Sequence, residues 1–136
     1  MRSVARRLLV SKYVLDASAL LALLNQEKGK ERVEALLPDS IISAVNFCEV
    51  LGKLIDAGMD ETDAWESIEL LNMRVISFNE EMARLAAGLR PKTRKLGLSL
   101  GDRSCLALGL MQGFAVITAE RGWVKLNIGV KVDLIR

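Results

Sequence analysis

Histidine is absent from all 136 residues. Its absence excludes imidazole general bases, histidine metal ligands and every Ser/His or Cys/His catalytic arrangement. Cysteine is scarce: Cys48 and Cys105 stand far apart, each in an apolar segment, and form neither a CxxC pair nor a disulfide framework. A reducing cytoplasm suits that usage. Long apolar runs are missing as well, because Lys12, Asp16 and Asn25 interrupt the candidates well short of the ~20 residues that span a bilayer. Leu8-Leu9-Val10 is too short for a signal-peptide core. These absences predict a cytoplasmic protein with no membrane association.

What is present describes one compact domain. Hydrophobic residues make up 51% of the chain and charged residues 26%. A chain of this size can bury roughly two-thirds of its unfolded surface, so neither disulfides nor a structural metal are needed for stability. The formal net charge of +2 is misleading as a sign of an anionic partner. Arg2, Arg6, Arg7 and Lys12 place four of the 19 basic residues ahead of any acid, leaving 15 against 17 acidic residues. The reading is a basic N-terminal leader over residues 1–11 and a single, slightly acidic domain over residues 12–136.

Periodicity alternates between strand and helix. Lys12 to Asp16 is a short β-prone run that passes into the helical stretch Ala17 to Gln26. Lys28 to Leu37 is a charged amphipathic helix stopped by Pro38, and Ile41-Ile42 is a brief strand. Ser43 opens a helix in which Phe47, Cys48, Leu51, Leu54 and Ile55 recur at helical spacing, closed by Gly58. Asp60 can cap Glu61 to Leu71, Val75-Ile76 reads as a strand, and Asn79 can cap Glu80 to Leu89 before Pro91. A loop Lys92 to Lys95 follows. Ser99 and Asp102 have capping-box spacing at the head of a helix running through Leu110. Ala115 to Thr118 is the next strand and Val130 to Ile135 the last β-prone run. Such alternation implies a mostly parallel sheet covered on both faces.

In open parallel sheets ligands gather beyond the carboxyl ends of the strands. Asp16 ends the first strand, Glu120 follows the fourth, and Asp102 begins the helix that feeds the fourth. Glu49, inside the helix opened by Ser43, can reach the same rim. Each acid also has a structural explanation: Asp16 and Asp102 as helix caps, Glu49 paired with Lys53, Glu120 as a solvated loop acid. Four carboxylates at one rim would repel one another and raise each other's pKa unless a cation neutralised them. Without histidine, oxygen-only coordination points to Mg²⁺ or Mn²⁺.

Four segments carry a more specific signal. Tyr13-Val14-Leu15-Asp16-Ala17-Ser18-Ala19-Leu20-Leu21, Ser43 to Asn46 with Cys48-Glu49-Val50, Leu98 to Arg103, and Ile117 to Trp123 resemble, in order, the successive blocks of PIN-domain ribonucleases of the VapC toxin type. The resemblance covers nearly everything after Lys12. It implies a three-layer α/β/α sandwich with a central, mostly parallel sheet of four to five strands. It also implies an Mg²⁺ or Mn²⁺ centre at Asp16, Glu49, Asp102 and Glu120, although the family usually has aspartate where Glu120 stands. The implied reaction is metal-dependent hydrolysis of phosphodiester bonds in structured RNA such as tRNA. A homodimer and a VapB-type antitoxin partner are implied too.

Ser18 and Thr118 match small hydroxyl positions beside the acids, with a cap or strand-end role equally open. Arg103 and Arg121, each next to an acid, and Arg94 and Lys95 in the preceding loop are candidate RNA phosphate contacts. With six aromatic residues in all, stacking platforms are few, which favours a folded RNA recognised by shape. Trp65, Met59, Met73 and Leu70 are candidates for an exposed apolar surface, with burial expected for most. A receiver domain lacks its paired acids here, and neither a Walker A nor a GxGxxG motif exists. The remaining alternative is a catalytically degenerate PIN-like module that binds RNA or protein without cutting.

Overall fold

The computed structural model describes residues 12–136, so the basic leader predicted over residues 1–11 lies outside the described residues. Five strands form one sheet: β1 (Tyr13–Leu15), β2 (Ser40–Ser43), β3 (Arg74–Ile76), β4 (Ala115–Thr118) and β5 (Val132–Leu134). Every pairing is parallel, and the spatial order is β3-β2-β1-β4-β5. Seven helices are described: α1 (Ala17–Leu24), α2 (Lys30–Leu36), α3 (Ala44–Asp56), α4 (Glu61–Glu69), α5 (Glu80–Gly88), α6 (Arg90–Thr93) and α7 (Leu100–Gln112).

Strand alternation divides the core. Leu15, Ile42 and Ile117 face one side and pack with apolar residues of α1 to α4, among them Leu20, Val33, Val50 and Ile68. Val14, Ile41 and Val116 face the other and meet Met82 and Ala86 of α5, Leu106 of α7, and Trp123. The three central strands thus have both faces covered, which explains their unbroken apolar runs. The expected three-layer α/β sandwich is the fold, with all pairings parallel.

Helix boundaries follow their caps. Ser43, Asp60, Asn79 and Ser99 each accept a backbone N–H from the residue three positions on, as the sequence predicted. Two expectations are corrected. The helix opened by Ser43 buries Asn46, Val50 and Leu54, while Cys48 and Ile55 are exposed, so the stripe is rotated from the one predicted. The loop from Lys92 to Lys95 is instead helical: Pro91 occupies the first turn of α6, where its missing N–H has no cost, and Arg94–Leu96 continues as a 3-10 turn. Trp65 is half exposed and Leu70 is largely so, whereas Met59 and Met73 are partly buried. No helix among the described residues is long and apolar enough to cross a membrane.

Candidate active site

The sheet reverses its winding direction between β1 and β4, and the crevice beyond their carboxyl ends is the natural ligand position in such a fold. Asp16, Ser18, Glu49, Asp102 and Glu120 all line one cavity there, of about 450 Å³. The four predicted acids therefore converge. They share a cavity rather than a single point: among the described residues no three acids stand as a compact metal-holding cluster.

Asp16 is the buried member, at 3% exposure. Its backbone N–H donates to Ile117 O, holding it to β4. Its side chain does not cap α1. Oδ2 instead accepts the hydroxyls of Ser18 at 2.7 Å and Thr118 at 2.9 Å. Ser18 Oγ in turn accepts from Ala119 N, and Thr118 Oγ1 from Glu120 N. Each hydroxyl has one proton and directs it to the same carboxylate oxygen, so the loop backbone fixes the hydroxyls and the hydroxyls fix Asp16. Burial pushes the Asp16 carboxyl up to about 6, opposed by the Ser18 and Thr118 hydrogen bonds and reinforced by the charge of Asp102.

Glu49 is placed by a residue that sequence reasoning passed over. Asn46 is fully buried, and its Nδ2 donates to Glu49 Oε1 at 2.9 Å and to Gly101 O at 3.0 Å. Ser43 Oγ donates to Asn46 Oδ1 at 2.7 Å. One amide thus joins α3 to the first turn of α7 and aims the Glu49 carboxylate. The available signal was the three-residue step from Asn46 to Glu49, which puts both on one helix face. Gly101 completes the arrangement, because a Cβ there would run into the Glu49 carboxylate.

Asp102 does form the predicted capping box, accepting from Ser99 N at 2.9 Å, and it lines the cavity as well. The capping role is therefore compatible with a place at the rim, since the cap fixes the rotamer that faces the cavity. Glu120 is exposed. Cys105 lies fully buried beneath the cluster, its thiol held well above the ordinary range first by burial and then by the charges of Asp16, Asp102 and Glu49. It is inert as a nucleophile.

The predicted cations divide. Arg94 and Lys95 are exposed on the 3-10 turn Arg94–Leu96, and Arg121 is exposed at the start of the 3-10 turn Arg121–Lys125 that follows Glu120. Arg103 is not a surface group, and its expected phosphate contact is corrected: it is 8% exposed, and its guanidinium donates to Ala86 O at 3.0 Å. Neighbours on a helix diverge by about 100°, so with Asp102 at the rim Arg103 points between α5 and α7. Lys53 and Arg136, absent from the predicted set, line the cavity; Arg136 is tied to Lys28 O at 2.9 Å.

The donor set suits a hard divalent cation, since every candidate ligand is an oxygen and Mg²⁺ commonly takes one or two carboxylates while keeping several waters. Dispersed acids around one cavity fit that mode better than an all-protein cage.

A family model for the PIN domain matches residues 13–128. No curated protein matches the sequence. Among solved structures, the chain resembles one from a toxin-antitoxin complex of Klebsiella pneumoniae, with TM-score 0.73 and 19% identity over 91% of this chain and 98% of the other. It resembles one from DNA-bound VapBC of Salmonella typhimurium, with TM-score 0.71 and 15% identity over 92% and 98%. It also resembles one from VapBC-1 of nontypeable Haemophilus influenzae, with TM-score 0.69 and 21% identity over 90% and 97%. At these identities the likeness speaks to fold alone. The family model spans most of the chain and includes the four predicted acids, together with Glu27, the fifth acid that lines the cavity, and on that match the protein belongs to the PIN domain family.

Proposed function

We propose that the protein is a VapC-type toxin: an endoribonuclease, dependent on Mg²⁺ or Mn²⁺, that hydrolyses phosphodiester bonds in structured RNA, with tRNA the favoured class. The observation that carries this reading is the convergence of Asp16, Glu49, Asp102 and Glu120 on one cavity at the winding reversal of the sheet. Asp16, Glu49 and Asp102 would hold the ion, with Glu120 acting at the exposed edge. When bound, such an ion supplies Lewis acidity, offsetting phosphate charge and making water a competent nucleophile near neutral pH.

The chain's own residues prepare the rest. Ser18 and Thr118 keep the Asp16 carboxylate oriented. Asn46 keeps the Glu49 carboxylate against Gly101, on the cavity that Asp102 also lines. Arg94, Lys95 and Arg121 supply positive charge for the phosphates flanking the cut. No side-chain nucleophile is required, which agrees with the absence of histidine and the burial of Cys105. A VapB-type antitoxin and a second copy of the chain are the proposed partners, and the cytoplasm is the proposed compartment.

The test is cleavage of a mixed pool of folded RNAs with Mn²⁺ or Mg²⁺ present and antitoxin absent. Wild type should cut, chelation should stop it, and Asp102→Asn should abolish it. Activity that survives in Asp102→Asn belongs to a contaminant. The exposure of Glu120 and the dispersal of the acids favour one second reading, a PIN-like module that binds RNA or protein without cutting. An RNA pool left intact by wild type, Glu120→Asp and Asp102→Asn alike decides for that reading.

A further inference from the structure

Three recesses on this rim are linked by shared residues. Asp102 and Glu120 line both the 450 Å³ cavity and a second recess of about 210 Å³, whose other walls are Leu96, Leu98, Gly122 and Trp123. Leu98 then lines both the second recess and a third of about 150 Å³, bordered by Arg90, Thr93, Arg94 and Gly97. The order along the surface is therefore carboxylates, leucine walls, arginines.

That sequence of chemistries matches one nucleotide beside a cut. We infer that the three recesses form a continuous track in which the nucleoside next to the scissile phosphate seats its base in the leucine-walled recess, and the following phosphate meets Arg90 and Arg94. The inference rests on the nuclease reading and adds to it where the substrate strand runs. The middle recess is smaller than the roughly 300 Å³ at which pockets begin to take drug-sized ligands, a size for one heterocycle rather than a whole nucleotide. Leu96 and Leu98 offer aliphatic surface to the face of a base, and the Glu120 carboxylate at the recess edge accepts a hydrogen bond from an exocyclic amine, leaving Asp102 to the ion. Trp123 is buried to 2% exposure and closes the floor without offering a stacking face. Arg90 and Arg94 are exposed, as phosphate-binding groups must be.

Gly122 permits a clean test. A Cβ added there would meet only Leu96 Cδ2, at 3.8 Å, and the backbone is not in the left-handed region. Gly122→Leu should fill the middle recess while leaving Asp16, Glu49, Asp102 and Glu120 in place, and Gly122→Ala should fill it in part. Two substrates are compared in Mn²⁺: bis(p-nitrophenyl) phosphate, which has no base, and a fluorescently labelled stem-loop oligoribonucleotide drawn from the mixed pool of folded RNAs. The ratio of oligonucleotide to small-diester kcat/KM should fall at least tenfold in Gly122→Leu and less in Gly122→Ala, with melting temperatures showing that both variants fold. Arg90→Gln with Arg94→Gln should raise the oligonucleotide KM and flatten its salt dependence by about two phosphate contacts. An unchanged ratio in Gly122→Leu, with wild type active, overturns the track and leaves the nuclease reading standing. Wild type and Glu120→Asp inactive on the small diester and on the whole pool of folded RNAs overturn the nuclease reading, and the track falls with it.

Discussion

Thr118 Oγ1 donates to Asp16 Oδ2 at 2.9 Å, joining the carboxyl ends of two adjacent strands across 102 positions of sequence. The bond and its Ser18 counterpart hold a carboxylate that burial would otherwise leave costly to ionise. Under the proposed function, stability and activity pull in opposite directions at this residue.

The pH dependence of the metal-free protein should show that opposition. The Asp16 carboxyl titrates near 6 in the folded chain against 3.8 unfolded, so between those values the folded state binds more protons. Stability from this group is therefore fullest below about pH 4 and falls as pH rises to about 6, by roughly 3 kcal/mol. Asp16→Asn should lack that fall and be the more stable protein at pH 7 without metal. Mn²⁺ should raise the melting temperature of wild type and do so much less in the variant. Parallel stability curves for the two proteins across pH 4 to 7 would remove Asp16 from this role.

Gly101→Ala should separate folding from activity. Alanine suits a helix better than glycine by up to about 1 kcal/mol, and the atom it displaces is the far end of a flexible glutamate. Denaturant midpoints should change little while cleavage falls at least tenfold. Asn46→Ala should lose both, at roughly 1–3 kcal/mol of stability, because the Gly101 carbonyl and the Ser43 hydroxyl lose a buried partner. Full activity in Gly101→Ala would show that the Glu49 position is immaterial.

Arg103 should behave as a core residue. Its Nε is the one buried side-chain polar atom among the described residues without a hydrogen-bond partner, and its guanidinium serves the C-terminal end of α5. Arg103→Met should leave the salt dependence of RNA binding unchanged, whereas Arg94→Gln should reduce its slope by about one. Stability of Arg103→Met should stay within about 2 kcal/mol of wild type, since methionine fills much of the volume and the Ala86 carbonyl keeps the Leu89 N–H as a donor. A lower salt slope in Arg103→Met would return this residue to the RNA surface.

Glu120 stands where the sequence resemblance implies aspartate. If it acts through an intervening water, Glu120→Asp should alter cleavage modestly and Glu120→Gln should reduce it more, since glutamine keeps the length and removes the charge. If its length is a defect, Glu120→Asp should raise the rate by up to about a hundredfold, the scale of a 1 Å misplacement. Single-turnover cleavage rates of the three proteins decide between the two.

Most of the architecture was legible because local signals agreed with one another. Ser43, Asp60, Asn79 and Ser99 marked helix starts, and short apolar runs marked strands buried on both faces. Asp16, Glu49, Asp102 and Glu120 could be gathered from strand ends and spacing. Asn46 could not, because its importance lies in the contact with Gly101, 55 positions away, which no local pattern encodes. Arg103 was misread since adjacency to Asp102 in sequence means divergence on a helix. Cys48 recurs at helical spacing with Phe47, Leu51, Leu54 and Ile55 yet is exposed, because the buried stripe runs through a polar residue, Asn46, that hydrogen bonding makes tolerable inside.

The strand order has a consequence for how the protein is made. β1 lies at the middle of the sheet and leaves the ribosome first, yet its neighbour β4 is completed only at Thr118. Asp16 must wait for more than a hundred further residues before its hydroxyl partner exists. Chains fold as they emerge, N-terminal portions first, and no portion that stops short of β4 contains the finished cavity. A nascent chain in which β4 has not yet emerged therefore lacks the finished cavity, whatever chemistry that cavity performs.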